Sequence, residues 1–194
     1  NFIAKGKIAD LKIKLIKDYE FSKVNLNFFA DKNDILIQKI GGDLEDIKIY
    51  DGDLKLNFDN GLKLISNFKA KINFNKETFQ KYTNLFNEND LPLNFNNLKT
   101  DLNNNISINL DNTYKVKDYN YSTSGKIEKS KIVLSNSFKS SIIQEKITEI
   151  YLVDTDIRSE FKPNYINIKG SGKYSFDDLN YSKISLENTF KDNL

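Results

Sequence analysis

Apolar and polar residues alternate along most of the chain with a period of two residues. The stretch from Ile47 to Phe74, IKIYDGDLKLNFDNGLKLISNFKAKINF, shows this pattern most fully. Successive side chains of a β-strand point to opposite faces of a sheet, so the alternation predicts strands with one apolar and one polar face. The period returns near the end of the chain, for example at Ile166 and Ile168. We therefore predict a mainly β protein whose strands form a long antiparallel meandering sheet curled into a groove.

Two glycine-containing segments predict where the meander turns. Asp51-Gly52 fits a two-residue type I′ hairpin loop. Asp59-Asn60-Gly61 fits a three-residue loop with the glycine in the left-handed conformation, which places Leu56 opposite Leu64. Both loops pair apolar residues with apolar residues. Because a slip of one residue would turn a strand inside out, this agreement favours antiparallel pairing.

One segment, NKETFQKYTNLFNEND, departs from the period of two. Asn75 is a suitable N-cap, and Phe79, Tyr82 and Phe86 follow at helical spacing. A single apolar stripe of this kind is typical of a helix that covers an apolar surface. We predict a short helix near residues 76–87 that lies on the apolar face of the sheet.

Two shorter segments are less regular. The run Asn103–Asn105 predicts a turn, and Phe138–Ile147 fits either a helix or a strand. No proline-rich linker or exact repeat divides the chain, so residues 1–194 are predicted to form a single β-rich segment. The sequence does not begin with Met and shows no secretory signal, which suggests an internal piece of a larger protein.

Composition excludes several kinds of chemistry. The chain has no Cys and no His, which removes thiolate nucleophiles, the commonest general base and the usual zinc ligands. We expect no enzyme activity, no metal site and no cofactor. The 29 basic and 27 acidic residues are interspersed, so no nucleic-acid partner is expected. No apolar run approaches the roughly 18 residues of a membrane-spanning helix, so membrane contact is expected only through segments outside this one.

The order of these features resembles the repeats of the AsmA-like family, including its TamB and YhdP branches. The resemblance is carried by GKIADLKIKL, then IGGDLEDIKIYDGDLKLNF, then the aromatic helix ETFQKYTNLF, then LPLNFNNLKTDLNNNISINLDNTYKVKDYNYSTSGKIEKSKIVL. It covers most of the chain. In that family such phrases form a long curled sheet, a repeating β-groove. The family offers no catalytic residue that could be matched to a position in this sequence.

The resemblance implies a segment of a bridge-like lipid transporter in the periplasm of a Gram-negative bacterium. Its anchor in the inner membrane would lie outside this segment, and it would carry phospholipid for outer-membrane biogenesis. Its partners would be phospholipid acyl chains and neighbouring β-groove repeats of the same chain. The alternative from a different class is a structural or adhesive extracellular domain, a β-sandwich or solenoid whose apolar faces pack together as a closed core.

Candidate lipid-binding residues are the apolar positions that alternate along the first predicted strands. In sequence, the lining of a groove and an ordinary core have the same pattern, so each of these residues fits both interpretations. The candidates are Ile13, Leu15, Leu26, Phe28, Ile35, Ile37, Ile47, Ile49, Leu54, Leu56, Phe58, Leu64, Phe68, Ile72 and Phe74.

Overall fold

A computed structural model describes residues 2–14, 19–59, 61–83, 93–138 and 146–191. These residues form one ten-stranded antiparallel sheet in which the order of the strands follows the chain. The strands are β1 (Ala4–Lys14), β2 (Glu20–Ala30), β3 (Asp34–Leu44), β4 (Ile47–Asn57), β5 (Leu62–Asn75), β6 (Leu93–Leu110), β7 (Val116–Phe138), β8 (Ile147–Lys162), β9 (Tyr165–Ser175) and β10 (Ser182–Lys191). The predicted fold class is confirmed, and the sheet is not closed into a barrel because β1 and β10 remain its two edges.

Helix α1 (Lys76–Thr83) follows β5 directly, as the sequence predicts. The side chain of Asn75 caps it, because Asn75 Oδ1 accepts a hydrogen bond of 2.9 Å from the backbone N–H of Thr78. The Thr78 hydroxyl oxygen accepts a hydrogen bond of 2.9 Å from the backbone N–H of Asn75, so the side chain of each residue satisfies the backbone N–H of the other. The predicted continuation of the helix to residue 87, including Phe86, lies outside the described residues.

One predicted turn is confirmed and another is wrong. Gly61 is left-handed, with φ of 98°, and Leu56 pairs with Leu64 as expected. Asp51-Gly52, however, is not a hairpin loop, since both residues lie inside β4. The chain turns earlier, at Glu45-Asp46, where Glu45 has a positive φ of 51° although the sequence has no glycine there.

Asp51 belongs to a row of β-bulges that crosses the first four strands. Asp10, Lys23, Lys39 and Asp51 all have positive φ, between 50° and 55°. The pairing register of the sheet shifts beside each of them. A bulge adds one residue to one strand, bends that strand and increases its twist. Because the four bulges lie on neighbouring strands, they bend this half of the sheet and keep the apolar side chains on one face on either side of the bend.

Two further predictions concern irregular segments. Asn103–Asn105 was predicted as a turn, and this is wrong because the run lies in the middle of β6, paired on both sides. The pairing satisfies the backbone there whatever the turn preference of Asn. Of the segment Phe138–Ile147, the first residue ends β7 and the last begins β8, while 139–145 lie outside the described residues.

Few side chains are fully buried in the described part of the chain. The accessible surface is 13300 Å², whereas a compact monomer of this mass exposes about 9,500 Å². A sandwich buries a whole layer of side chains between two sheets. Here the buried apolar side chains are Tyr19, Val24, Ala70, Phe74, Ile127, Ile132 and Ile147. The sheet is thus an open structure with a small core.

Helix α1 is too short and too polar to cross a membrane, and the described residues contain no other helix that could.

Candidate functional site: the apolar face

The strand register brings apolar residues from separate strands together on one face. Phe28 of β2 pairs with Ile37 of β3, which pairs with Leu54 of β4. On the other side of the bulge at Asp51, Ile47 pairs with Ile72. Directly paired residues lie on the same face of a sheet with their side chains in reach of each other. These rows form a continuous apolar surface, which we call the apolar face.

Most of the predicted lining residues lie on this face and are partly exposed. In the described residues, α1 is the only element that covers any of it, and no second sheet lies over it. Partial exposure therefore arises because each side chain is shielded by its neighbours within the sheet and not by a layer above. The partly exposed members of the predicted set are Leu26, Phe28, Ile35, Ile37, Ile47, Ile49, Leu54, Leu56, Leu64, Phe68 and Ile72.

Four predicted lining residues stand apart from this group. Ile13 lies on the edge strand β1 and is 36% exposed, and Phe58 lies just past the end of β4 at 41%. Phe74 is buried because the ring of Tyr82 stacks on it with centroids 4.7 Å apart. Leu15 lies outside the described residues. Phe74 is thus covered by the helix and not available to a ligand in this conformation.

Helix α1 closes one end of the apolar face through aromatic contacts. Besides the stacking on Phe74, Tyr82 donates a hydrogen bond of 3.0 Å from its hydroxyl to the backbone oxygen of Leu44. Burial raises the pKa of the Tyr82 phenol, so it stays a neutral donor. Phe79 meets Phe95 with ring centroids 4.9 Å apart. The apolar stripe predicted for this helix therefore lies on the sheet.

The face becomes more polar in its middle strands, β6 to β8, which the sequence analysis missed. Thr100, Thr123 and Thr155 occupy positions on this face and are buried. The hydroxyl of Thr100 donates to the backbone oxygen of Lys126 at 2.9 Å, which offsets the loss of water. These small polar side chains interrupt the apolar surface. The signal was present as Thr at positions where the alternation calls for an apolar residue.

Farther along β7 and β8, and on into β9 and β10, the face carries apolar residues that are also outside the predicted set. Tyr121 pairs with Phe161, which pairs with Ile166, and Ile166 pairs with Phe190 of the edge strand. The rings of Tyr121 and Phe161 stack with centroids 5.7 Å apart. Phe190 is 54% exposed. The period of two in these strands was visible in the sequence and would have extended the candidate set to them.

Comparison with known proteins adds no family to these observations, since no protein-family model, no curated protein and no solved structure matches the chain. The resemblance to the AsmA-like family therefore stays a prediction that rests on the motifs quoted above.

Proposed function

We propose that this chain binds phospholipid acyl chains along its apolar face, as a non-enzymatic segment of a lipid-transfer protein. The observation that carries the proposal is the row of partly exposed aliphatic and aromatic side chains over which the described residues place no second layer. Each Å² of apolar surface removed from water is worth about 25 cal/mol. An acyl chain lying across these strands would supply the burial that the protein itself does not.

The mechanism of such a segment is passive. Leu54, Leu56 and Leu64 offer dispersion contacts without direction, and none of them bears a group that would hold one lipid in one place. Neighbouring positions on the face then bind an acyl chain with similar free energy. A lipid can move from one position to the next without crossing a deep minimum, while its headgroup stays in water at the border of the face.

The compartment and route of transfer in this proposal come from the family resemblance. The chain would be one part of a periplasmic bridge of β-groove repeats, anchored in the inner membrane through another segment, that carries phospholipid toward the outer membrane. The two open edge strands, β1 and β10, are suited to this arrangement because each has a free row of backbone hydrogen-bonding groups. A neighbouring repeat could continue the sheet at either edge.

A structural or adhesive domain remains the competing function. In that case a second copy or another protein layer would cover the apolar face, and no lipid would bind. The two functions differ in what the face contacts in solution, so crosslinking and oligomeric state separate them.

Photo-crosslinking of lipid tests the proposal. The purified chain is incubated with a phospholipid whose acyl chain bears a diazirine, and labelled peptides are identified by mass spectrometry. Labelling should concentrate on β3 to β5. Leu56→Asp should lower the labelling at least several-fold, because a carboxylate on this face must be dehydrated to accept an acyl chain.

Ile65→Asp is the matched control for Leu56→Asp. Ile65 is also partly exposed, at 38%, and pairs with Lys55, so it lies on the opposite face of the next strand. Equal loss of labelling in both variants would argue against a specific face, and labelling spread evenly over the chain would overturn the proposal. Severe unfolding of Leu56→Asp alone, seen by circular dichroism, would instead favour a closed core.

A further inference from the structure

A concave surface lies on the opposite, polar face of the sheet. It is a cleft of about 850 Å³ that is open to solvent and bordered by residues from β4 through β10. Neighbouring strands are about 4.8 Å apart, so six intervals between strands give the cleft a length of roughly 29 Å. Its shape suits an extended ligand. The lipid proposed above, which needs the apolar face, leaves this polar cleft without a role.

At one end of the cleft, the polar side chains form hydrogen bonds and ion pairs with each other. Tyr50 donates its hydroxyl to the carboxylate of Asp101, with distances of 2.7 and 2.8 Å to the two oxygens. This hydrogen bond raises the pKa of Tyr50 to about 12. Lys69 lies 5.7 Å from the centre of the Tyr50 ring and forms an ion pair of 3.0 Å with Asp51. The charges at this end have partners within the protein.

Two further lysines of the cleft are also paired. Lys126 lies 3.0 Å from a carboxylate oxygen of Asp154, and Lys169 lies 2.7 Å from one of Glu187. Both ion pairs are exposed, so they contribute little to stability. They do, however, reduce the positive charge that these lysines offer to a ligand.

Arg158 differs from the other cations of the cleft. It is the only arginine of the chain, and it forms no hydrogen bond or ion pair with the residues that the structure describes. In the sheet it pairs with Ser124 on one side and with Lys169 on the other. Two like charges directly opposite each other are unfavourable in a sheet. Arg158 is thus exposed, has no partner for its guanidinium group among the described residues, and lies opposite a second cationic residue.

We propose that this cleft binds an acidic saccharide of the uronic acid class, with Arg158 as the anchor of its carboxylate. A guanidinium group presents a planar fork of donors that matches a carboxylate with two parallel hydrogen bonds. Ser124, which pairs with Arg158, and Ser171, which pairs with Asp156, line the cleft and offer hydroxyls to the hydroxyl groups of a sugar. The length of the cleft accommodates several sugar rings in a row.

The charge of the cleft favours a sparsely charged ligand. Its lining includes four cationic and three carboxylate side chains, a difference of one positive charge. A nucleic acid carries a phosphate at every residue and is bound by neutralising many of them, so the carboxylates would repel it. A saccharide whose carboxylates are separated by uncharged groups fits this mixture of cationic and carboxylate side chains better. The members of this charged lining are Lys69, Lys126, Arg158, Lys169, Asp101, Asp156 and Glu187.

Isothermal titration calorimetry on the purified chain tests the proposal. The probe is a hexasaccharide of alternating glucuronic acid and N-acetylglucosamine, and the neutral comparison is a hexasaccharide of glucose. Saturable binding of the acidic probe is expected, with at least tenfold weaker binding of the neutral one. Arg158→Gln should also lower the affinity for the acidic probe at least tenfold. The affinity of Arg158→Lys should lie between those of Arg158→Gln and the natural protein, because lysine keeps the positive charge but not the planar fork of donors.

Lys48→Gln is the matched control, because Lys48 is exposed on the same polar face but does not line the cleft. It should leave the affinity unchanged, and so should Leu56→Asp on the other face, which keeps this result independent of lipid binding. The proposal is overturned by absent binding, by equal loss in Lys48→Gln and Arg158→Gln, or by equally tight binding of the neutral sugar. Equally tight binding of inorganic phosphate or of a single-stranded oligonucleotide would overturn it as well.

Discussion

At the scale of single residues, Gly125 shows how closely the backbones of the central strands approach. It pairs with Leu102 across β6 and β7, and a Cβ atom at this position would collide with the backbone oxygen of Asp101. We expect Gly125→Ala to lower the free energy of unfolding by about 1–3 kcal/mol, because the two strands must move apart to accept the methyl group. Urea denaturation measures this difference.

Gly170→Ala is the control for this substitution, since Gly170 lies in the same row of the sheet, two strands away. A Cβ there would meet its nearest neighbour, the backbone oxygen of Asp156, at an ordinary contact distance of 3.8 Å. This variant should be neutral or slightly stabilising, because alanine restricts the unfolded chain more than glycine does. Equal destabilisation by both substitutions would show that steric contact with β6 is not the cause.

At the scale of single elements, the end of the apolar face that α1 covers depends on the cap of a short helix. An isolated helix of eight residues is not stable, so α1 relies on Asn75 and on its aromatic contacts. Asn75→Ala should cost about 0.5–2 kcal/mol and release the helix from Phe74. Amide hydrogen exchange should become faster in residues 76–83 before it changes in the strands.

Asn73→Ala is the matched control for the cap, because Asn73 is an exposed residue of the same strand. Asn73 lies two residues before the cap. It pairs with Lys99, so its side chain lies on the polar face and not among the apolar rows. Exchange in α1 should stay unchanged in this variant. If Asn75→Ala also left the helix protected, the aromatic contacts alone would hold it.

The elements also show how far the sequence could predict this molecule. The period of two and the cap at Asn75 are local signals, so the strand character of the alternating segments and the start of the helix were predicted correctly, whereas the turns predicted at Asp51-Gly52 and Asn103–Asn105 were wrong. Asp51-Gly52 failed because a left-handed Asp fits a bulge as well as a hairpin loop. The bulge at Asp51 lies beside the bulges at Lys39 and Lys23 on the neighbouring strands. The choice between a bulge and a hairpin loop therefore depends on pairing with residues distant in sequence, which local sequence does not show. The same holds for the apolar face, since alternation predicts which residues share a face but not what covers it.

At the scale of the whole molecule, the open sheet should leave a thermodynamic signature. Exposure of apolar surface on unfolding raises the heat capacity, by about 12–15 cal/mol/K per residue in ordinary globular proteins. For 194 residues this corresponds to about 2.3–2.9 kcal/mol/K. Because the apolar face is already partly exposed in the folded chain, we expect a smaller value for the lipid-free monomer. Differential scanning calorimetry over a series of pH values measures it.

The same measurement with phospholipid bound should give a larger heat-capacity change, because unfolding then exposes to water an apolar face that the lipid covered in the folded complex. Sedimentation equilibrium must accompany it, since a dimer that buries the two apolar faces against each other would raise the value without any lipid. An ordinary value for a lipid-free monomer would mean that the chain covers its own apolar face in solution. That result would contradict lipid binding on this face and favour a structural domain with a closed core.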